Sequence, residues 1–161
     1  MSRRHPWLLA LAVLLVAFAL VGGGPRGEVR VGEQATHGAE TATVTFVDDS
    51  GTELGQVSGP IADTRSERYT GLSETDSLGP NEGMIFVYED EATRAFVMRN
   101  MSFPLDIIFV GADRRITAIH HAAADAEGHF TARARWVIEV NRGYTAAHNV
   151  SVGDEVRGLP R

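Results

Sequence analysis

From residue 42 to 159 short apolar runs recur between turn-forming clusters at a spacing of roughly 8–12 residues, the pattern of a mainly β sandwich or barrel. It predicts strands over Ala42–Val47, Glu53–Ser58, Met84–Glu89, Ala95–Met98, Leu105–Val110, Ile116–Ala122, Trp136–Val140 and Glu155–Gly158. Asp48-Asp-Ser-Gly51, Gly111-Ala-Asp113 and Ala126-Glu-Gly128 supply the turn residues between them. Thr64–Thr70 reads as a helix, because Thr64 and Glu67 form a capping-box pair and Gly71 can end it. A second short helix is expected over Tyr144–His148. The expected fold is therefore mainly β and compact, with one or two short helices.

Alternation assigns faces. Met84, Phe86 and Tyr88 share one side of their strand, and Ile85 and Val87 the other. In Leu105–Val110, Leu105, Ile107 and Phe109 point one way, while Asp106 goes with Ile108 and Val110. Both faces are apolar, which predicts an interior strand covered on both sides. A carboxylate there is costly unless it is paired or hydrogen-bonded. Glu139 poses the same problem, sharing a face with Val137 and Asn141.

The start of the chain has another pattern. Arg3 and Arg4 precede an uninterrupted apolar run from Trp7 to Val21, closed by Gly22-Gly-Gly-Pro25. Residues 1–24 read as a membrane anchor or signal segment, with the rest of the chain outside the cytoplasm. Ala17-Phe-Ala19 offers a cleavage site and Ser2-Arg3-Arg4 hints at a twin-arginine signal. The apolar run continues past that cleavage site, so an uncleaved anchor through residues 7–21 of the cytoplasmic membrane is favoured over secretion after cleavage. Residues 25–41 read as a flexible acidic linker, with His37 a solvated residue in it. Residues 42–159 then form a single domain.

Composition narrows the chemistry. All 15 basic residues are arginine, against 21 carboxylates, for a net charge of -6. Setting aside the first 24 residues leaves a charge of about −8, which would repel a phosphate backbone and argues against nucleic acid as a partner. The acidic, lysine-free composition also suits a salt-rich setting. The absence of cysteine excludes disulfides, thiolate metal sites and a cysteine nucleophile. The absence of lysine excludes Schiff-base chemistry and a phosphate-loop lysine, and no nucleophile elbow or His-Glu-x-x-His motif is present.

Several blocks in order resemble one family. Gly71-Leu72, Gly83-Met-Ile-Phe86, Phe96-Val-Met-Arg-Asn100, Pro104-Leu-Asp-Ile-Ile-Phe109, Ile138-Glu-Val-Asn-Arg-Gly143 and Gly153-Asp154 together resemble the uncharacterised domain of unknown function 192, over about residues 61–156. The resemblance implies a compact, mostly β sandwich or barrel with one small helix, and no activity. One departure matters: where that family usually has Trp before the Met of the second block, this chain has Val97, so any pocket lined by that indole would be larger here.

Asp106 and Glu139 are the carboxylates most deeply set in apolar runs. Flanking one groove, they would divide acid and base roles as in glycoside hydrolysis. Otherwise each accepts hydrogen bonds from loop amides or pairs with Arg99 or Arg142, pinning the loops beside Asn100 and Gly143. Met84, Met98 and Met101 would suit Cu(I) but are better read as packing. His120 and His121 project to opposite faces, so a metal would need His129, His148 or a carboxylate as well. The leading expectation is a non-enzymatic binding domain for an envelope glycan or small polar ligand, contacted by Arg99, Asn100, Asp106 and Glu139, with Arg142 able to anchor an anion. No metal or cofactor is expected. The rivals are a carboxylate-dependent hydrolase of envelope polymers and a structural partner of a membrane complex.

Overall fold

The computed structural model describes residues 40–161. The N-terminal apolar run and the linker through Ala39, including His37, lie outside the described residues.

The elements in chain order are β1 (Thr41–Val47), β2 (Glu53–Ala62), α1 (Arg65–Thr70), β3 (Gly83–Phe96), β4 (Leu105–Val110), β5 (Ile116–Ala122), β6 (Phe130–Asn141), α2 (Tyr144–Ala147) and β7 (Glu155–Arg157). The strands form one seven-stranded sheet in the order β5-β4-β6-β3-β2-β1-β7, curled into a half-barrel. Neighbours are antiparallel except β2 and β3, which run parallel. The two edges meet at one corner through an Arg115–Glu155 bridge. There Ile116 N–H donates to the Asp154 carbonyl at 3.0 Å, and Val156 N–H to that of Arg114 at 2.8 Å. The mainly β expectation holds; of the sandwich or barrel expected, the sheet takes the form of a curled half-barrel and not of two stacked sheets.

The strands Met84–Glu89 and Ala95–Met98, expected to be separate, are one bent strand ending at Phe96, with Met98 beyond it. Glu89-Asp90-Glu91 resembles a break in the sequence because its polar residues interrupt the alternation. In the structure it is a bulge: Val87 lies opposite Trp136 and Ala92 opposite Ala134, so five steps on β3 face two on β6. Glu91 fixes the bulge by accepting from Ala112 N–H at 2.7 Å and Arg133 Nε at 3.0 Å. The bulge begins at Tyr88, just past the Val87–Trp136 pair. β6 is also longer than the expected Trp136–Val140, since Phe130–Arg135 pairs along the second half of β3.

Both helices form where expected. Glu67 N–H donates to Thr64 Oγ1 at 3.2 Å and Thr64 N–H to Glu67 Oε2 at 2.9 Å, completing the capping box of α1, which Gly71 ends. The parallel approach of β2 to β3 depends on Gly59, where an added Cβ would lie 1.7 Å from the Gly83 carbonyl oxygen.

Apolar side chains cover the sheet on both sides. On one side Phe46, Ile85, Ile108, Trp136, Ile138 and Val156 form the larger core cluster. On the other, Phe86, Phe96, Leu105, Ile107, Phe109 and Val137 form a second one, against which Met84 and Met101 pack and within which Met98 is buried. Each fully buried side chain of this size contributes about 1.5–3 kcal/mol. All six residues of β4 are buried, as its two-faced apolar pattern predicts. This layering gives the two carboxylates different surroundings.

Candidate ligand-binding cleft

Asp106 lies opposite His121 on β5 and Val140 on β6, on the side of the larger core. It is wholly buried and fully engaged. Oδ2 accepts from Gly143 N–H at 3.1 Å, Thr145 N–H at 3.1 Å and Thr145 Oγ1 at 2.7 Å, and Oδ1 lies 2.6 Å from His121 Nδ1. Gly143, at φ 91, makes the left-handed turn that presents these amides. Asp106 thus ties the first turn of α2 to the sheet. Arg142 lies at this junction, exposed, with its N–H on the Pro104 carbonyl and its Nη1 donating to the His121 carbonyl at 3.3 Å.

Glu139 is one step away in register, opposite Met84 and Ile107, and the pleat sends it to the other side. The two carboxylates therefore do not flank one groove, and the acid–base pair that a hydrolase would need is divided by the sheet. Of the other arrangement expected from the sequence, loop amides or an arginine pair, Asp106 shows the first, through the Gly143 and Thr145 amides, and neither carboxylate pairs with an arginine. Glu139 is only 5% exposed, and no hydrogen bond or ion pair from the described residues reaches its carboxyl. Burial pushes that carboxyl up to about 8, so it is mostly protonated at neutral pH and able both to donate and to accept.

The Glu139 carboxyl faces a cleft of about 360 Å³, within the usual range for small-ligand sites of about 300–1,000 Å³. Leu72, Phe86 and Phe96, all buried, share its floor. Tyr88 and Arg68 form one wall. Arg68 lies with its guanidinium 4.8 Å from the Tyr88 ring centroid and donates to the Val87 carbonyl at 2.9 Å and to that of Asp63. The rim carries Tyr69, 73% exposed, and Val97, 45% exposed. Among the described residues these are two of the three large apolar side chains left in water, the third being Val152. Arg99 holds Tyr69 in place, with its guanidinium 3.9 Å from the ring centroid and a hydrogen bond to the Tyr69 carbonyl. Met101 and His129 also line it.

Of the residues singled out from sequence, Glu139 and Arg99 meet in this cleft, while Asp106 and Arg142 meet at α2. Asn100 is exposed and, at φ 54, turns the loop beyond Arg99. Sequence reasoning missed Arg68, Tyr69 and Tyr88. A signal for Tyr69 existed: it is a large aromatic in the last turn of a six-residue helix that buries none of its own side chains. Among the described residues no group of three or more His, Asp and Glu side chains is placed to hold a metal ion.

No curated protein matches the chain. Four solved chains match it, two of which are informative. One, a protein of unknown function from Novosphingobium aromaticivorans DSM 12444, is 33% identical with a TM-score of 0.69, the match covering 84% of this chain and 99% of that one. The other, from Sinorhizobium meliloti 1021 and described as a candidate transcription regulator, is 27% identical with a TM-score of 0.70, covering 74% of this chain and 95% of that one. Over residues 46–158 the sequence matches the family model DUF192, described as an uncharacterized ACR. The match spans β2 to β7, both helices and the Glu139 cleft, and the chain belongs to the DUF192 family.

Proposed function

We propose that this domain is a ligand-binding module of the cell envelope, which takes a sugar residue or similar small polar molecule into the Glu139 cleft. The observation that carries the reading is the Glu139 carboxyl itself, buried and without a hydrogen-bond partner among the described residues. A buried polar group costs stability unless something satisfies it, and a ligand hydroxyl would do so, since a protonated carboxyl offers one donor and several acceptor sites. The exposed Tyr69 ring supplies an apolar face beside it, as sugar rings require. Arg68 and Arg99 add positive charge at the mouth, which favours an acidic sugar such as a uronate. Arg3-Arg4 ahead of the Trp7–Val21 run supports placement outside the cytoplasmic membrane on an anchor.

A role on nucleic acid, of the kind implied by the description of the Sinorhizobium protein, is poorly supported here. The charge of about −8 beyond residue 24 opposes a phosphate backbone. Catalysis also lacks support, because Glu139 is the one carboxylate among the described residues that line the cleft.

Thermal unfolding of the full chain with glucose, galactose, glucuronate, galacturonate and glycerol at pH 6 and pH 9 tests the reading. A uronate should raise the melting temperature at pH 6 and do so less at pH 9, where Glu139 is ionised; Arg68, Arg99, Tyr69, Tyr88 and His129 are the other titratable groups around the cleft. Glu139→Gln, which mimics the neutral carboxyl, should keep the shift at both pH values. Glu139→Leu should lose it. The proposal fails if no sugar shifts the wild type or if Glu139→Leu responds as the wild type does.

A further inference from the structure

Arg68 and Tyr88 line a second cleft as well, of about 650 Å³. Its remaining walls include Arg94, Arg135 and Arg161. The Arg94 guanidinium lies 3.9 Å from the Tyr88 ring centroid, so Tyr88 with Arg68 and Arg94 over its ring forms the partition between the two spaces. Arg94 is engaged with Asp90 at 2.9 Å. Arg135 is not: its Nε is buried without a hydrogen-bond partner, while its guanidinium lies 4.6 Å from the Trp136 ring centroid. No carboxylate of the described residues pairs with Arg68, Arg135 or Arg161.

We infer that the two clefts are successive subsites of one groove, and that the second takes the anionic group of a neighbouring residue in an acidic oligosaccharide. The inference rests on the Glu139 cleft being a sugar site, and it assigns the ligand as a chain of at least two acidic sugars. Three carboxylates also border the second cleft: Asp63, Glu89 and Asp90. All three residues are exposed, whereas Arg68, Arg94 and Arg135 are half-buried. Water screens the repulsion from the former more than the attraction from the latter. Arg135 lines the cleft although its Nε is sealed off, so an anion would meet the side of the guanidinium that borders the cleft, and a charge-assisted bond to a fixed guanidinium is the strongest kind available at such a site. A neutral sugar would leave that guanidinium and the surrounding positive charge unanswered.

The test is calorimetric titration of the full chain at pH 6 with galacturonate, digalacturonate and trigalacturonate, with maltose as the neutral control and triglutamate as an acidic peptide. Digalacturonate should bind about tenfold more tightly than galacturonate. Arg135→Gln should bring digalacturonate back to the affinity of the single sugar, and Glu139→Leu should weaken both. Equal affinities for one and two residues, with no effect of Arg135→Gln, would overturn the two-subsite groove while leaving the Glu139 cleft as a sugar site. Tight binding of triglutamate with none of the uronides would overturn the saccharide assignment. Absence of binding by every uronide would overturn both proposals.

Discussion

Asp106 and Glu139 sit on adjacent strands one residue apart in register, both buried, yet among the described residues one accepts four hydrogen bonds and the other none. The sheet's pleat makes the difference. Asp106 faces the side where α2 closes down, and the amides of that helix's first turn saturate it. Glu139 faces the side where α1 and the loops around Val97 leave a gap. A buried carboxyl with a full set of donors needs no explanation beyond the fold it holds. One with none is a cost to folding that a ligand can offset.

The strongest way to break this contrast is Asp106→Ala. It strands the Gly143 and Thr145 amides and frees α2 from the sheet, and the loss should be about 3–5 kcal/mol by chemical denaturation. A loss under about 1 kcal/mol would mean that α2 is held by Tyr144 packing alone and that the two carboxyls are alike.

Next in size is pH. Glu139 titrates near 4.5 when unfolded and about 8 when folded, so between those values the native state holds a proton that the unfolded state has lost. Stability should therefore be greatest below about pH 4.5 as far as this group is concerned. It should fall by roughly 1 kcal/mol per pH unit as pH rises to 8, and level off above. Glu139→Gln should flatten that slope, matching the wild type near pH 5 and exceeding its stability at pH 9. Parallel slopes for the two proteins would mean that the Glu139 carboxyl is as well hydrated in the cleft as in the unfolded chain.

His121→Ala should cost about 1 kcal/mol. His121 is the one half-exposed partner of Asp106, its side chain at 50%, so water can replace it while the three bonds to α2 remain. A larger loss would make the imidazole, and not the helix, the chief support of Asp106.

Much of this contrast was legible in the chain. Alternation in Leu105–Val110 and around Glu139 assigned the two carboxyls to their faces, and the capping box and Gly71 placed α1. Which strands become neighbours was not legible, because it depends on long-range pairing, such as β3 between β2 and β6, that no local pattern encodes. Without that order the two faces could not be related, and a shared groove remained open. The bulge at Glu89–Glu91 was hidden for a different reason. Its acidic residues resemble a loop, and only pairing on both sides of it, with Glu91 bonded to Ala112 and Arg133, shows a continuous strand. Arg68 lies over Tyr88 at the start of that bulge, so the partition between the clefts was invisible as well.

The gentlest change to the contrast is Val97→Trp, which restores the residue that the sequence pattern leads one to expect before Met98. Val97 is 45% exposed on the rim, so an indole can extend across the mouth without displacing buried atoms, and stability should change by no more than about 0.5 kcal/mol. The cleft below would be partly roofed, and the Glu139 carboxyl would lose its remaining access to water. Desolvation would then hold that carboxyl protonated to higher pH, moving the end of the stability slope upward, while sugar affinity drops for want of room. Asp106, on the other side of the sheet, should be untouched, so hydrogen exchange at Gly143 and Thr145 should match the wild type. If exchange there rises with the Val97 change, the two sides of the sheet are coupled, and the division of labour between the carboxyls gives way to a single cooperative unit.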